Sequence, residues 1–322
     1  MQSDTHLDST RITKRSLICA GLAACAMIGA VGARAQGPTP APTTVRIITY
    51  PIAGLAGMKI AEQQGFFKEE SITPEWVLIR TPADGVANLL GGKADIGFIN
   101  VGGLAAAAAQ NLPLKAVAPM YFSANDFGIY VKADSPIRNI ADLNGKTVGL
   151  VQLKNNVHAM VMDSIERGGG NPSSVSFTLI PAANILAALR AGTVDAAQIV
   201  EPFIANGGDS IRPLIPDVFQ FSGGKGITAY YIATREFASK NPALLQRFTQ
   251  AVNKAQEFAQ GHPDAVRKAA SAVTEVPAEL LSKMILPQFG SDLALENAEQ
   301  QVDLMVKYKL LSTKVDIRPY FK

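Results

Sequence analysis

The residues best suited to bind a charged group lie where a predicted strand gives way to a predicted helix. Lys154, Asn155 and Asn156 follow the apolar segment KTVGLVQL and lead into the segment VHAMVMDSIER. The first N–H groups of a helix lack partners within the helix and carry partial positive charge, so they favour anions. A lysine and two amides at this position therefore predict an anion-binding site. The alternative is a surface lysine beside an asparagine that caps the helix.

A carboxylate occupies a comparable position further along the chain. Glu201 and Pro202 directly follow the predicted strand VDAAQIV. At the carboxyl end of a strand, a carboxylate whose chain exit is fixed by proline can accept hydrogen bonds from an amine, amidine or hydroxyl group. The alternative is a carboxylate that caps a helix or fixes a hinge.

Other candidate ligand contacts lie in loops that follow predicted strands or near the segments predicted to cross between domains. The loop residues combine turn-forming and polar side chains, and glycine there permits close approach of the backbone. Asn100 could equally cap the helix that follows it. The aromatic residues near the crossings could stack on a ligand or simply pack in the core. These further candidates are Tyr50, Pro51, Gly54, Asn100, Val101, Gly102, Tyr121, Asn125 and Tyr230.

Residues 1–35 have the pattern of a cleaved secretory signal peptide. A Lys-Arg pair precedes an apolar run from Leu17 to Val31, and a small-residue cleavage site precedes Gln36. The residues before Cys25 resemble a lipoprotein processing box, but the apolar run continues past it to a better site. We therefore expect a periplasmic protein whose mature chain begins with a disordered leader, residues 36–43.

The mature chain retains few side chains for metal or covalent chemistry. Cys19 and Cys25 are lost with the signal peptide, and only His158 and His262 remain of the histidines. This composition disfavours a thiol nucleophile, a disulfide framework and a zinc site, and we predict no catalytic residue, metal or cofactor. The whole chain has 30 Lys and Arg against 27 Asp and Glu, and so lacks the large excess of basic residues typical of nucleic-acid-binding proteins. His158 lies in the first turn of a predicted helix, where the dipole favours a neutral ring.

Strands and helices alternate in two similar halves, which predicts parallel sheets built from right-handed crossovers. One motif, a helix end, a glycine turn and a strand entry, occurs in both halves one hundred residues apart. Its shared residues are Ala87, Leu89, Gly92, Asp95 and Ile99, which recur as Ala187, Leu189, Gly192, Asp195 and Ile199. The two copies indicate duplicated architecture, or else convergent use of a common helix–turn–strand pattern.

We predict an α/β fold of two lobes, each a mostly parallel sheet flanked by helices, joined by two crossing strands. Lobe 1 is predicted to comprise residues 44–124 and 225–322, and lobe 2 residues 125–224. Helical segments are predicted at 277–287 and 294–308. The predicted strands are 44–50, 75–79, 94–100, 146–153, 174–180 and 194–200, with crossing strands within 127–133 and 224–237.

Five segments in order resemble a known family of proteins. They are GMKIAEQQGFFKEESI, GGKADIGFIN, SPIRNIADLNGKTVGL, ALRAGTVDAAQIVEPF and FASKNPALLQRFTQAVNKAQEFAQGHPDAV. Over residues 44–322 the chain resembles the periplasmic substrate-binding proteins of ABC importers of the nitrate/sulfonate/taurine type. That group includes relatives that bind pyrimidine precursors of thiamine. The resemblance implies the type II periplasmic-binding-protein fold, capture of a small solute between the lobes, and delivery to a membrane permease with its ATPase subunit.

The resemblance also sets the alternatives for function. The family often carries an acidic residue before proline at the position of Glu201, and distant relatives form a pyrimidine using pyridoxal phosphate on a lysine. Export disfavours that enzyme because the cofactor is intracellular. Lys154 favours an anion, whereas Glu201 favours a ligand with hydrogen-bond donors. We therefore rank small organic acids first (sulfonates, carboxylates and aromatic acids), aminopyrimidines second and nitrate third. A monomer is expected, because no sustained heptad repeat remains.

Overall fold

The computed structural model describes residues 41–79, 82–123, 125–219, 221, 226–274 and 276–322. The predicted signal peptide and most of the predicted leader lie outside these residues. So do residues 124, 224 and 225, where the two lobe boundaries were predicted to fall. Within the described ranges, we find no helix with the length and apolar character needed to cross a membrane.

The order of strands and helices agrees with the alternating pattern of the sequence. The strands are β1 (Thr43–Thr49), β2 (Ile72–Leu78), β3 (Gly97–Asn100), β4 (Leu114–Phe122), β5 (Phe127–Lys132), β6 (Thr147–Leu150), β7 (Ser176–Leu179), β8 (Ala196–Val200), β9 (Ile211–Ile215) and β10 (Ile227–Thr234). The α-helices are α1 (Ala56–Gln63), α2 (Phe66–Glu69), α3 (Pro82–Leu90), α4 (Val101–Ala109), α5 (Asn156–Arg167), α6 (Ala182–Arg190), α7 (Phe203–Gly207), α8 (Arg235–Lys240), α9 (Pro242–Gly261), α10 (Pro263–Thr274), α11 (Ala278–Lys283) and α12 (Leu295–Lys307).

Two sets of strands define the two lobes. In lobe 1, β1 pairs in parallel with β2, and a parallel bridge between Ile47 and Ile96 joins β1 to the residues that lead into β3. The other pairs of lobe 1 are antiparallel, β3 with β10 and β10 with β4. In lobe 2 the strand order is β7-β6-β8-β5-β9, with β5 antiparallel to both neighbours. Among the described residues, each lobe thus has four strands in one direction and one reversed strand, which confirms the predicted mostly parallel lobes.

The repeated sequence motif forms the same helix ending in both lobes. The helices α3 and α6 lead to glycines with left-handed backbone, Gly92 at φ 68° and Gly192 at φ 72°. The N–H of each glycine donates to the carbonyl of Leu89 or Leu189, three residues earlier. Glycine is favoured at this position because it has no Cβ to clash in the left-handed region. The two copies of the motif therefore form the same local structure, as both interpretations of the repeat require.

The aspartate of the motif also has the same partner in both lobes. Asp95 Oδ2 accepts a hydrogen bond from the N–H of Arg46 on β1 at 2.9 Å. Asp195 Oδ2 accepts one from the N–H of Thr147 on β6, also at 2.9 Å. In each lobe the carboxylate therefore fastens the loop before the third strand to the first strand.

The chain crosses between the lobes twice, directly before the two reversed strands. The first crossing joins β4 to β5 and the second joins β9 to β10. The crossings contact each other, because Ser123 N donates to Gly226 O at 2.9 Å and Val218 N donates to Phe127 O at 3.1 Å. Two adjacent connections of this kind allow hinge rotation of one lobe against the other.

Each lobe buries its own apolar core against helices. The lobe 1 core includes the helix stripe of Leu245, Phe248 and Val252, as the three- and four-residue spacing predicted. In lobe 2, Met160 and Val161 of α5 pack on one face of the sheet. A separate cluster that includes residues of α6 and Tyr130 of β5 covers the opposite face. Helices on both faces explain why most strands read as continuous apolar runs.

Candidate functional site between the lobes

Two helix N-termini lie close together where lobe 1 meets lobe 2. Asn100 caps α4, since its Oδ1 accepts from Gly103 N at 2.7 Å. Asn155 caps α5, since its Oδ1 accepts from His158 N at 2.9 Å. Both asparagines therefore adopt the capping role that the sequence left open beside ligand binding. Capping by the oxygen leaves each side-chain NH₂ group available for another partner.

A glutamine that the sequence analysis did not select joins these two caps. Gln152 Oε1 accepts from Asn155 Nδ2 at 2.8 Å and lies 3.4 Å from Asn100 Nδ2. Gln152 is exposed and lies three residues before the cap of α5. Its position in the loop after β6, at the carboxyl edge of the sheet, is the signal that could have identified it.

Asn156 forms a buried connection between the lobes. Its Oδ1 accepts from Gly102 N at 3.1 Å, and its Nδ2 donates to Gln301 Oε1 at 2.8 Å. Gln301 in turn donates to Ile227 O at 2.8 Å. Asn156 and Gln301 are 1% and 0% exposed. Because these buried amides are paired, the network adds specificity to the lobe contact without leaving an orphaned group.

Close approach of the two lobes explains the glycine at position 102. A Cβ at Gly102 would lie 2.7 Å from Asn156 Oδ1 and 2.8 Å from Asn156 N, closer than such contacts allow. The neighbouring Val101 is fully buried in the first turn of α4. The sequence predicted close backbone approach at Gly102, and the approaching group is Asn156 of the other lobe.

Lys154 and His158 lie beside the cap of α5 with different environments. Lys154 is exposed and has a left-handed backbone, at φ 58°. Its N–H donates to His158 Nδ1 at 3.2 Å. Burial lowers the pKa of His158 to about 4, which confirms the neutral ring predicted from the sequence. The cause is burial, which disfavours the charged ring, whereas the prediction rested on the helix dipole.

Glu201 contacts both lobes through its carboxylate. Oε2 accepts from Ala205 N at 3.1 Å in α7, and Oε1 accepts from Ile285 N at 2.9 Å in the C-terminal part of lobe 1. Burial raises the pKa of Glu201, Asp126 adds to that rise, and the two backbone hydrogen bonds oppose it. The capping and hinge-fixing alternative thus describes the contacts of Glu201 in this conformation, and its remaining lone pairs are those that a ligand could use.

The first loop of lobe 1 packs against an aromatic residue near the crossing. Gly54 lies in a single 3₁₀ turn, Ala53–Leu55, directly before α1. A Cβ at Gly54 would lie 2.4 Å from Tyr121 Cε1, so glycine is required for the ring to pack there. Tyr50 is half-buried and Pro51 is exposed. The structure therefore brings Gly54 and Tyr121 together, as close neighbours at the edge of lobe 1.

The last two candidates, Asn125 and Tyr230, differ in their exposure to solvent. Asn125 is exposed in the first crossing, with a left-handed backbone at φ 67°. Tyr230 is fully buried, its hydroxyl donates to Leu293 O at 2.7 Å, and its ring packs edge-on against Phe321. In this conformation Tyr230 is a core residue of lobe 1.

The two similar lobes and the polar contact between them can be compared with the folds of known proteins. The crystal structure of the periplasmic aliphatic sulphonate binding protein from Escherichia coli is similar, with a TM-score of 0.72. The similarity covers 88% of this chain and 92% of that chain, at 22% sequence identity. The fold is therefore the two-lobed fold of periplasmic binding proteins, as predicted.

The family follows from sequence comparison. The family described as NMT1/THI5 like matches residues 53–266, and the chain belongs to this family. A putative aliphatic sulfonates-binding protein of Escherichia coli (strain K12) is 25% identical over 200 residues, 59% of this chain and 60% of that protein. A 4-amino-5-hydroxymethyl-2-methylpyrimidine phosphate synthase of Aspergillus parasiticus is 24% identical over 223 residues, 65% of this chain and 64% of that protein. The matched segment thus spans less than two thirds of either relative, one a binding protein and the other an enzyme.

Proposed function

We propose that this protein is the exported solute-binding component of an ABC importer, which captures a small organic acid between its lobes. It would deliver that acid to a membrane permease served by an ATPase subunit. The observation that carries the proposal is the meeting of α4 and α5, whose capped N-termini face each other across the two lobes through Gln152. Free N–H groups of helix N-termini favour anionic and acceptor groups.

An acid is supported by the groups around the start of α5. Lys154 is exposed beside this helix and can reach a solute at the edge of lobe 2. The Escherichia coli relatives with sulfonate in their names support the same class of ligand. Glu201 opposes a small bare anion such as nitrate, because its half-buried carboxylate, when ionised, would repel a like charge in a desolvated site.

An aminopyrimidine is the second candidate ligand. The similarity to the Aspergillus parasiticus synthase supports it, and Glu201 can accept hydrogen bonds from an amino group. The enzyme alternative has its own test. A violet absorbance band of the purified protein, bleached by borohydride, would indicate pyridoxal phosphate bound to a lysine. We propose binding without catalysis.

The location and organisation belong to the same proposal. The protein would be periplasmic after removal of residues 1–35, and it would act as a monomer. Lobe 1 would comprise residues 44–124 and 225–322, and lobe 2 residues 125–224. The contacts between Ser123 and Gly226 support hinge positions at these two crossings.

A thermal-shift screen with four sets of compounds tests the proposed ligand class. Sulfonates, aromatic carboxylates, aminopyrimidines and nitrate are each added to the mature protein. A bound acid at a hundredfold excess over its Kd should add about 2.7 kcal/mol to the free energy of unfolding. The screen is repeated on Lys154→Met and Glu201→Gln. If Lys154→Met leaves the affinity for the best compound unchanged while Glu201→Gln abolishes it, the aminopyrimidine becomes the preferred ligand.

A further inference from the structure

Lobe 2 holds two buried side-chain nitrogen atoms without hydrogen-bonding partners among the described residues, one in the first turn of α5 and the other on β8. Gln198 Nε2 and His158 Nε2 have no such partner in the part of the chain that the structure describes. The Gln198 side chain is 1% exposed and His158 is 7% exposed. Buried donors in native proteins are nearly always paired, so these two atoms point to a group that the protein alone does not supply.

Gln198 lies on the face of the lobe 2 sheet that α5 covers. Ala196, two residues earlier on β8, packs in the same core cluster as Met160 and Val161 of α5. Alternation along a strand places Gln198 on that same face. Its Oε1 accepts from Val151 N at 3.2 Å, and Val151 is the first residue after β6. The carboxamide is therefore at the carboxyl edge of the sheet, under the loop that leads into α5.

His158 is a donor at Nε2 for a chemical reason. Its ring is neutral at pH 7 because burial lowers its pKa to about 4. Since Nδ1 accepts from Lys154 N, the single ring proton is on Nε2. The ring packs edge-on against Phe177 of β7, with centroids 4.5 Å apart, and this contact fixes its orientation.

The duplicated lobe shows that packing does not require a glutamine at position 198. The repeat places Phe98 of β3 one hundred residues before Gln198, between the shared Asp95 and Ile99. Phe98 is 8% exposed and belongs to the lobe 1 core. The same strand position therefore accepts an apolar side chain in one lobe and carries an unpaired amide in the other.

We propose that Gln198 and His158 form a subsite that binds the oxygen atoms of an organic acid, a sulfonate or a carboxylate, beneath the N-terminus of α5. This inference rests on the proposed function and assigns the acidic group of the solute to lobe 2. Gln198 Nε2 and His158 Nε2 donate to the acid, and the free N–H groups of the 12-residue helix α5 add partial positive charge. Neutral, preorganised donors suit a buried anion because they form hydrogen bonds to it without the cost of burying a second charged group.

The test is calorimetric titration of the mature wild type and of Gln198→Met with butanesulfonate and, separately, with benzoate. Methionine keeps the length of the side chain but cannot donate, so the acid that binds should lose about 10- to 100-fold in affinity. The matched control is Gln256→Met, which removes an equally buried glutamine that donates to Pro119 O and Met120 O in lobe 1. The control should leave the affinity unchanged within about twofold.

Each outcome decides between the proposals. Binding of either acid with a loss confined to Gln198→Met supports the subsite, and the acid that binds identifies its class. Equal affinities of wild type and Gln198→Met would overturn the subsite while leaving the proposed function intact. Failure of the wild type to bind both acids, with a shift from an aminopyrimidine in the screen, would overturn both.

A measurement on the wild type keeps the proposal testable if Gln198→Met does not fold. In ¹⁵N-labelled protein, the Gln198 side-chain amide and His158 Nε2 should change chemical shift as the bound acid saturates the site. The Gln256 side-chain amide serves as the internal control. Unchanged shifts of both Gln198 and His158 at saturation would contradict the subsite.

Discussion

At the scale of single residues, Asp95 and Asp195 each join the loop before the third strand of their lobe to the first strand, but they have different numbers of hydrogen-bond partners. Asp95 also accepts from the guanidinium of Arg46, at 3.1 Å from Nε and 2.6 Å from NH2. Asp195 is exposed and accepts from Thr147 N. The duplicated positions therefore allow one interaction to be compared in two environments within a single molecule.

We expect Asp95→Ala to destabilise the protein more than Asp195→Ala. The first change removes charge-assisted hydrogen bonds and should lower the free energy of unfolding by about 1.5–3 kcal/mol. The second removes one exposed hydrogen bond and should cost about 0.5–1.5 kcal/mol. Urea denaturation at pH 7 measures both values. An equal or larger loss for Asp195→Ala would show that the guanidinium adds nothing to this connection.

Glu201 predicts a specific dependence of stability on pH. Burial raises its pKa, so the folded state binds the proton more tightly than the unfolded state does. Its contribution to stability is complete below the ordinary value of 4.5 and is lost as pH rises through the raised pKa. Relative to Glu201→Gln, which cannot titrate, the wild type should therefore lose stability as pH rises from 4.5 to 7.

Urea denaturation across that pH range checks the Glu201 prediction. Glu236→Gln is the control, because its exposed carboxylate pairs with Lys240 and this pairing lowers its pKa. Its contribution is already complete above the ordinary pKa, so its difference from wild type should stay flat. A flat difference for Glu201→Gln as well would refute the role of burial at this carboxylate.

At the scale of elements, a cluster of charged groups fastens α12 to α5. The buried carboxylate of Asp163 accepts from Arg167 in its own helix, and from Lys307 Nζ and Tyr308 Oη, each at 3.2 Å. Lys307 also pairs with Glu166 at 2.7 Å. Because α12 belongs to lobe 1, this cluster is a second connection between the lobes, separate from the Asn156 network.

We expect Asp163→Asn to weaken this connection and lower the free energy of unfolding by about 1.5–3 kcal/mol, since its bonds join charged groups to a buried carboxylate. Glu236→Gln is again the matched control, because Glu236 and Lys240 have the same four-residue spacing but are exposed. That control should cost less than about 1 kcal/mol. Equilibrium denaturation measures both, and a loss for Asp163→Asn no greater than the control would contradict the cluster's role.

The sequence predicted most of the strands but missed β4 and β9. The strands β1, β3, β6 and β8 are apolar and β-branched, and their order and positions agree with the structure to within a few residues. The missed strands β4 and β9 lie at the outer edges of the three-stranded sheet and of the lobe 2 sheet. Each contains a proline, Pro119 or Pro213, which reads as a strand breaker but is tolerated at an edge. Local composition could not reveal that tolerance.

At the scale of the whole molecule, the sequence located the ends of the strands but not the contacts between lobes. Asn155 and Asn156 were chosen together as polar residues after β6, yet one caps α5 and the other bonds to Gln301, 145 residues away. No local pattern specifies such a partner, because it depends on how the two lobes pack. Gln152 was also not selected, although its position in the loop after β6 could have identified it.

We expect the mature protein to sediment as a single monomeric species at micromolar concentration. Both lobes bury their apolar clusters internally. Among the described residues, the exposed large apolar side chains are Leu78, Leu90 and Leu179, which are dispersed in sequence. Sedimentation velocity over a tenfold range of concentration is the measurement. A dimer that persists across that range would contradict the prediction.

The most direct test of the central claim measures the distance between the lobes while an acid binds. Leu78 and Leu179 end β2 and β7 at equivalent positions of the two lobes, and they are 74% and 56% exposed. Residues 41–322 contain no cysteine, so Leu78→Cys and Leu179→Cys provide two unique sites for spin labels. Pulsed electron paramagnetic resonance then reports the distance with butanesulfonate, benzoate, an aminopyrimidine or nitrate. We predict that an acid makes the distance distribution shorter and narrower and that nitrate leaves it unchanged. An unchanged distribution with both acids, or a change with the aminopyrimidine alone, would contradict the account.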